Sequence, residues 1–155
     1  MDTKIIVVDS EQLFKKSTAL RLEVFTQEQN FDPAIELDEY DVPFDRKDVM
    51  HIIAVDSQEN ALATVRLYLT DGQAHLGRLA VAKQARGTGL GRAICEYAVH
   101  KAIEAWSVDT VVLSSQHQVR KFYEGLGYVY NEKKGYYDDE GWQHCEMAQT
   151  FSKQT

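Results

Sequence analysis

Apolar positions along this chain recur first at strand spacing, then at helix spacing, then at strand spacing again. The β-branched run Ile5 to Val8 predicts a strand, and Asp9-Ser10 offers a helix cap ahead of Leu13, Phe14, Leu20, Val24 and Phe25, which predict one or two helices. Met50 to Val55 and Leu62 to Leu69 read as strands joined by the polar turn Asp56 to Asn60. In the second of these, Val65, Leu67 and Leu69 alternate with Arg66 and Tyr68. After the Asp71-Gly72 turn, His75 to Ala82 completes an antiparallel meander. The period then changes, because Leu90, Ile94, Tyr97, Ala98, Ala102 and Ala105 mark one face of a helix running to about Trp106. Val111 to Leu113 predicts a buried strand, Gln118 to Leu126 a helix ended by Gly127, and Tyr128 to Tyr130 and Trp142 to Ala148 the last strands. The stretch around Pro33 and Pro43 has little periodicity and predicts a loop, with a short helical turn, lying over the domain surface.

Length and charge narrow what such a chain can be. Its 155 residues, with no repeat or linker, predict one domain spanning 1–155. No apolar run approaches the ~18 residues that cross a bilayer, and Met1-Asp2-Thr3-Lys4 does not open a secretion signal, so a cytoplasmic protein with no membrane partner is expected. Cys95 and Cys145 read as packing residues rather than a disulfide. A net charge of -7 disfavours nucleic acid, which is bound by neutralising phosphates. The charge is uneven: Glu36 to Asp48 holds six acids against Arg46 and Lys47, whereas Lys83 to Arg92 holds three bases and no acid. The five histidines lack the close spacing of a metal site, and no Gly-x-Ser-x-Gly elbow is present.

The basic segment carries the strongest chemical signal. Leu79-Ala80-Val81 is an apolar strand, Arg86-Gly87-Thr88-Gly89 a glycine-rich turn, and Leu90-Gly91-Arg92 the start of the long helix. A helix entrance offers unpaired N–H groups and a positive dipole end, and glycines let an anion approach the backbone closely. The spacing matches neither a dinucleotide fingerprint nor a Walker loop.

Gln84-Ala85-Arg86-Gly87-Thr88-Gly89 resembles the Q/R-x-x-G-x-G/A loop of the GNAT N-acetyltransferases, and Phe122-Tyr123-Glu124-Gly125-Leu126-Gly127-Tyr128 resembles their F-Y-x-x-x-G-F/Y segment. Arg21-Leu22-Glu23-Val24-Phe25-Thr26-Gln27-Glu28-Gln29 is similar to the R-x-x-V-F-x-x-E-Q segment of the ElaA/YjcF-like bacterial subgroup. Glu36 to Asp41 and Asp139 to Met147 resemble that subgroup's E-x-D-x-x-D and E-D-G-I-x-H-x-x-M stretches. Asp139-Glu140 and Trp142 depart from the last pattern, on the side where an acceptor would enter.

The resemblance implies an α/β GNAT acyl-CoA N-acyltransferase fold: a mixed, twisted sheet of about six or seven strands with helices on both faces, opening where two central strands separate. It implies acetyl transfer from acetyl-CoA to a primary amine of a small molecule or peptide by direct attack, without a metal. Leu79, Ala80 and Val81 would pair with the pantetheine arm, with the Val81 N–H facing the developing oxyanion. Arg86 to Arg92 would hold the pyrophosphate, and Gln118 and Phe122, with Gln116 and Lys121 nearby, would meet other parts of coenzyme A. Tyr123 is the candidate general acid toward the leaving thiolate. Glu28, His75 and His144 are candidate bases by residue type. Arg21, Glu28, Asp38, Asp41 and His144 are the candidate acceptor-binding residues, the acidic segment being suited to attract a cationic amine. Exposed sheet edges would allow a homodimer. The competing reading is a non-catalytic coenzyme A binding or regulatory module.

Overall fold

The computed structural model describes residues 2–32, 36–139 and 141–151; Pro33 and Glu140, both used above, lie outside them. The described strands are β1 (Lys4–Val7), β2 (Val49–Val55), β3 (Ala61–Thr70), β4 (Gln73–Val81), β5 (Thr110–Gln116), β6 (Val129–Tyr130), β7 (Tyr136–Asp139) and β8 (Trp142–Thr150). They form one sheet in the order β1-β2-β3-β4-β5-β8-β6, with β7 also on β8. Every pairing is antiparallel except β4 with β5. Eight strands exceed the six or seven expected, and β7 is the one the sequence reading did not contain. Tyr136-Tyr137-Asp138-Asp139 is exposed at every position, so it shows no apolar alternation, and pairing across the Gly141 turn to β8 makes it a strand.

Helices α1 (Glu11–Arg21), α2 (Leu90–Trp106) and α3 (Arg120–Gly125) join these strands. Ser10 caps α1 as expected, its side chain accepting the Leu13 N–H at 3.2 Å. From Leu22 to Glu28 the same helix widens into a π-helical segment, a form common at functional sites. The alternation in β3 sorts its side chains between two covered faces. Ala63, Val65 and Leu67 join Ile94, Cys95, Ala98 and Ala102 of α2 in the main core. On the opposite face, Leu20 and Val24 pack on Ala80 and Ala82. There the Ser17 hydroxyl meets Thr64 Oγ1 at 2.5 Å, and Thr64 Oγ1 donates to Ile52 O. Each fully buried Leu or Ile contributes about 1.5 to 3 kcal/mol. Cys95 and Cys145 are both free and buried. Among the described residues no helix is long and apolar enough to cross a membrane.

The acidic segment does not simply lie over the surface. Glu36 and Asp41 are buried against α1, where Arg21, 1% exposed, donates to Glu36 Oε1 and Asp41 Oδ1 at 2.7 Å each. From β3, Arg66 reaches Asp38 Oδ1 at 2.7 Å and Asp41 Oδ2 at 3.1 Å. The described residues 36–48 therefore form turns tied to the sheet by charge pairs, without the helical turn expected.

His51 of β2 closes the bottom of this cluster, 2% exposed, with Nε2 3.9 Å from Asp41 Oδ1 and its ring edge-on to Phe14. Burial pushes its pKa down to about 4, against the pull of Asp41 and helped by Arg21 and Arg66. The unfolded imidazole, near 6.5, binds its proton first as pH falls, so stability drops between pH ~6.5 and ~4. The expected loss is about 3 kcal/mol, read as a fall in the urea midpoint across that window, and His51→Leu should flatten the slope there. An unchanged slope in His51→Leu would contradict this.

Candidate active site

The sheet splits at the one parallel pairing. β4 and β5 are in register from Ala74↔Val111 to Leu76↔Leu113 and then diverge. Beyond that point β5 continues on β8 as far as Gln116↔His144, and β4 continues on β3 as far as Val81↔Ala63. A bulge sits on the diverging stretch, because Thr64 faces Ala80 and Arg66 faces Gly77, leaving Arg78 and Leu79 opposite Val65. Arg78 takes a left-handed backbone, φ +55°. The Ala82 N–H donates to Leu62 O on the β3 side. By strand alternation, the peptide groups of Val81 point to the open side, where Arg86 Nε takes the Val81 carbonyl at 3.1 Å. A cleft of about 390 Å³ fills the split.

At one end of the split β4 turns through Lys83–Ala85 into the glycine-rich loop and α2. Gly87 and Gly89 hold φ of +77° and +86°, with open space where a side chain would begin, so the loop presents bare backbone. The N–H groups of Gly87 to Arg92 have no protein acceptor among the described residues, as expected where a helix begins. Gly91 packs so that a Cβ would lie 3.5 Å from the Phe122 ring, which sets α2 close to α3. Both loop arginines already hold carboxylates: Arg86 with Glu28 at 2.6 Å and Arg92 with Glu96 at 2.7 Å, all partly exposed.

Tyr123 lies on the cleft wall, 8% exposed, edge-on to Phe122 and Tyr128 at 5.0 and 6.0 Å. Burial, with smaller contributions from Cys95 and Tyr128, raises its pKa well above 10, so the phenol keeps its proton at neutral pH. His144 of β8 also lines the cleft, with Nδ1 2.9 Å from Trp142 O. A carbonyl only accepts, so Nδ1–H is the donor in that contact, and in the neutral ring Nε2 is then an acceptor. His75 lines it too, stacked on Tyr68 at 4.8 Å, and burial lowers its pKa despite Glu146 and Asp71.

The structure sorts the sequence-derived residues by place. Leu79, Phe122, Tyr123, His75 and His144 converge on the cleft, with Arg86 to Arg92 at its end. Glu28 is absent from the cleft wall and faces Arg86 beside the glycine loop. Arg21 and Asp41, expected at the acceptor, are sealed in the core against each other, because neither charge could be buried alone. Asp38 stays partly exposed but is held by Arg66. Gln118 donates to Gln116 Oε1 at 2.6 Å, and Gln116 donates to Gln29 Oε1 at 2.8 Å, an amide chain joining β5 to the end of the π segment. Arg66, Arg78, Gln29, Ser114 and Tyr137 were missed as cleft residues. Ser114 and Tyr137 are joined by a hydroxyl hydrogen bond. Arg78 had a signal in the neighbouring Gly77, since glycine within a strand often marks a bulge.

A mixed sheet split between parallel strands, with a bare helix entrance at one end of the split and a phenol on its wall, defines an acyl-CoA acyltransferase architecture. The family profile described as acetyltransferase (GNAT) domain matches residues 15–151, and the chain belongs to that family as an N-acetyltransferase. The chain is 31% identical over 145 residues, 93% of this chain and 97% of the relative, to the uncharacterized N-acetyltransferase YjcF of Bacillus subtilis. The crystal structure of an acyl-CoA N-acyltransferase from Pseudomonas aeruginosa superposes with a TM-score of 0.81 at 28% identity, covering 96% of this chain and 99% of that one. Escherichia coli ElaA gives 0.80 at 23%, covering 96% and 98%.

Proposed function

We propose that the enzyme moves the acetyl group of acetyl-CoA to a primary amine by direct attack in the β4–β5 cleft. The observation that carries this reading is the run of unengaged N–H groups from Gly87 to Arg92 at the end of a split lined by Tyr123. Those groups and the α2 dipole would hold the diphosphate. The open-side peptide groups of Leu79 and the N–H of Val81, whose carbonyl Arg86 Nε holds, would pair with the pantetheine arm like an added strand. Bound in this way, acetyl-CoA supplies an activated thioester.

The remaining work belongs to this chain's own residues. The amine nitrogen forms a bond to the acyl carbon, the carbon–sulfur bond breaks, and the electron pair leaves on sulfur. An amine of pKa ~10.4 is neutral in about one molecule in two thousand at pH 7 and must lose a proton. His144 Nε2, directly or through one water, takes that proton in preference to Glu28, which Arg86 engages. Tyr123, a weaker acid than a thiol of pKa ~8.5, stabilises the leaving sulfur as a hydrogen-bond donor rather than by complete proton transfer.

Thiol release from acetyl-CoA across a library of primary amines tests this. Release with at least one acceptor and matching N-acetyl product is expected. Coenzyme A binding with no release for any amine would leave the binding-module reading in its place. Gly89→Val should weaken coenzyme A binding about ten- to a hundredfold by calorimetry. A β-branched residue resists φ +86°, at roughly 1 to 2 kcal/mol, and its methyls stand where the anion would sit. Unchanged affinity in Gly89→Val would contradict the assignment of the loop.

A further inference from the structure

Three arginines meet three carboxylates around the acidic segment, and they are unequally paired. Arg21 makes four hydrogen bonds of 2.7 to 3.1 Å, and Arg66 makes three in the same range. Arg78 makes a single long one, Nε to Glu36 O at 3.4 Å, and approaches the Glu36 and Asp38 carboxylates only to 3.5 and 3.6 Å. Neither of its Nη groups has a hydrogen-bond acceptor among the described residues, although the side chain is just 32% exposed and lines the cleft. Burial, with the neighbouring charges of Arg66 and Arg21, lowers its pKa against the pull of Glu36 and Asp38. The left-handed backbone adds a second oddity. Gly77 could adopt it freely, yet the bulge places it on Arg78, and such strain collects where a side chain must be aimed.

A half-buried guanidinium whose Nη1 has no partner among the described residues, and whose Nη2 meets Asp38 only at 3.6 Å, retains donors for an oxyanion. We propose that Arg78 anchors an anionic group of the acceptor, so that the amine acetylated here also bears a carboxylate or a phosphate. The proposal rests on the acetyl-transfer reading. Arg78 is adjacent to Leu79, whose backbone would meet the pantetheine arm, which suits an acceptor with amine and oxyanion only a few bonds apart. The internal pairing of Glu36 and Asp41 agrees with it, because those charges are engaged and do not form a surface for a simple polyamine.

The test compares matched probes in the thiol-release assay: amino acids against their amides, and phosphoethanolamine against ethanolamine. The expected result is a kcat/KM about ten- to a hundredfold higher for one class of anionic amine over its neutral partner. That ratio should collapse toward one in Arg78→Gln and be partly kept in Arg78→Lys, which retains the charge and, like Gln, the same backbone demand. The first pair responding identifies a carboxylate, the second a phosphate. Turnover with no preference for either anion, or a preference that persists in Arg78→Gln, overturns the proposal and leaves acetyl transfer standing. The same probes titrated calorimetrically into protein saturated with coenzyme A separate the two claims. Anion-selective binding lost in Arg78→Gln supports the anchor, absence of selectivity in both binding and turnover overturns it, and only the absence of thiol release with every amine of the library overturns the transferase reading.

Discussion

Replacing Tyr123 by Phe is expected to lower kcat about a hundred- to a thousandfold while leaving the Kd for coenzyme A within about twofold. The substitution removes one oxygen from a ring whose edge contacts with Phe122 and Tyr128 remain. Packing and cofactor position should therefore persist, and the effect should fall on the step in which negative charge appears on sulfur. A phenol with a pKa well above 10 stays a donor across the neutral range, so the residual kcat of the variant should keep the wild-type response to pH above 7. Steady-state kinetics with a responsive amine, beside calorimetry with coenzyme A, read both quantities. An unchanged kcat would remove Tyr123 from the reaction, and a large rise in Kd would make it a binding residue.

The second large effect is on stability. Asp41→Ala should cost about 3 to 5 kcal/mol in urea unfolding, because it leaves Arg21 without two of its bonds and Arg66 without one, in a place closed to water. Burial pushes the Asp41 carboxyl up, but the hydrogen bonds and charge of Arg21, with the Asp38 N–H and Arg66, hold it well below the usual carboxylate range. A depressed carboxylate contributes stability that is complete above its unfolded pKa of ~3.9 and is lost as pH falls further. The acid limb of wild-type stability should thus have two parts, one from His51 above pH ~4 and one from Asp41 below it. In Asp41→Ala the lower part should disappear. A loss below about 1 kcal/mol would mean that the arginines find other partners.

How far the sequence carried these conclusions depended on how local each signal was. Helix α2 was legible to its ends, Leu90 and Trp106, because its apolar face repeats at helical spacing. The glycine loop was legible because Gly87, Gly89 and Gly91 recur at alternate positions of one short segment between a strand and a helix. Strand β7 was not, since its residues are exposed and only the hairpin with β8 orders them. The charge network was also hidden: Arg21 pairs with Asp41 twenty residues away and Arg66 with Asp38 twenty-eight away. Nothing in an acidic run says which carboxylates will be buried. The same blindness placed Asp41 at the acceptor and passed over Arg78, whose unequal pairing exists only once the segment folds onto the sheet.

Backbone amide resonances of Gly87 to Arg92, followed while coenzyme A is added, address the central assignment most directly. Downfield displacement of several of these N–H protons is expected with coenzyme A and not with pantetheine, which lacks the diphosphate. Saturating coenzyme A that leaves all of them unmoved would contradict it.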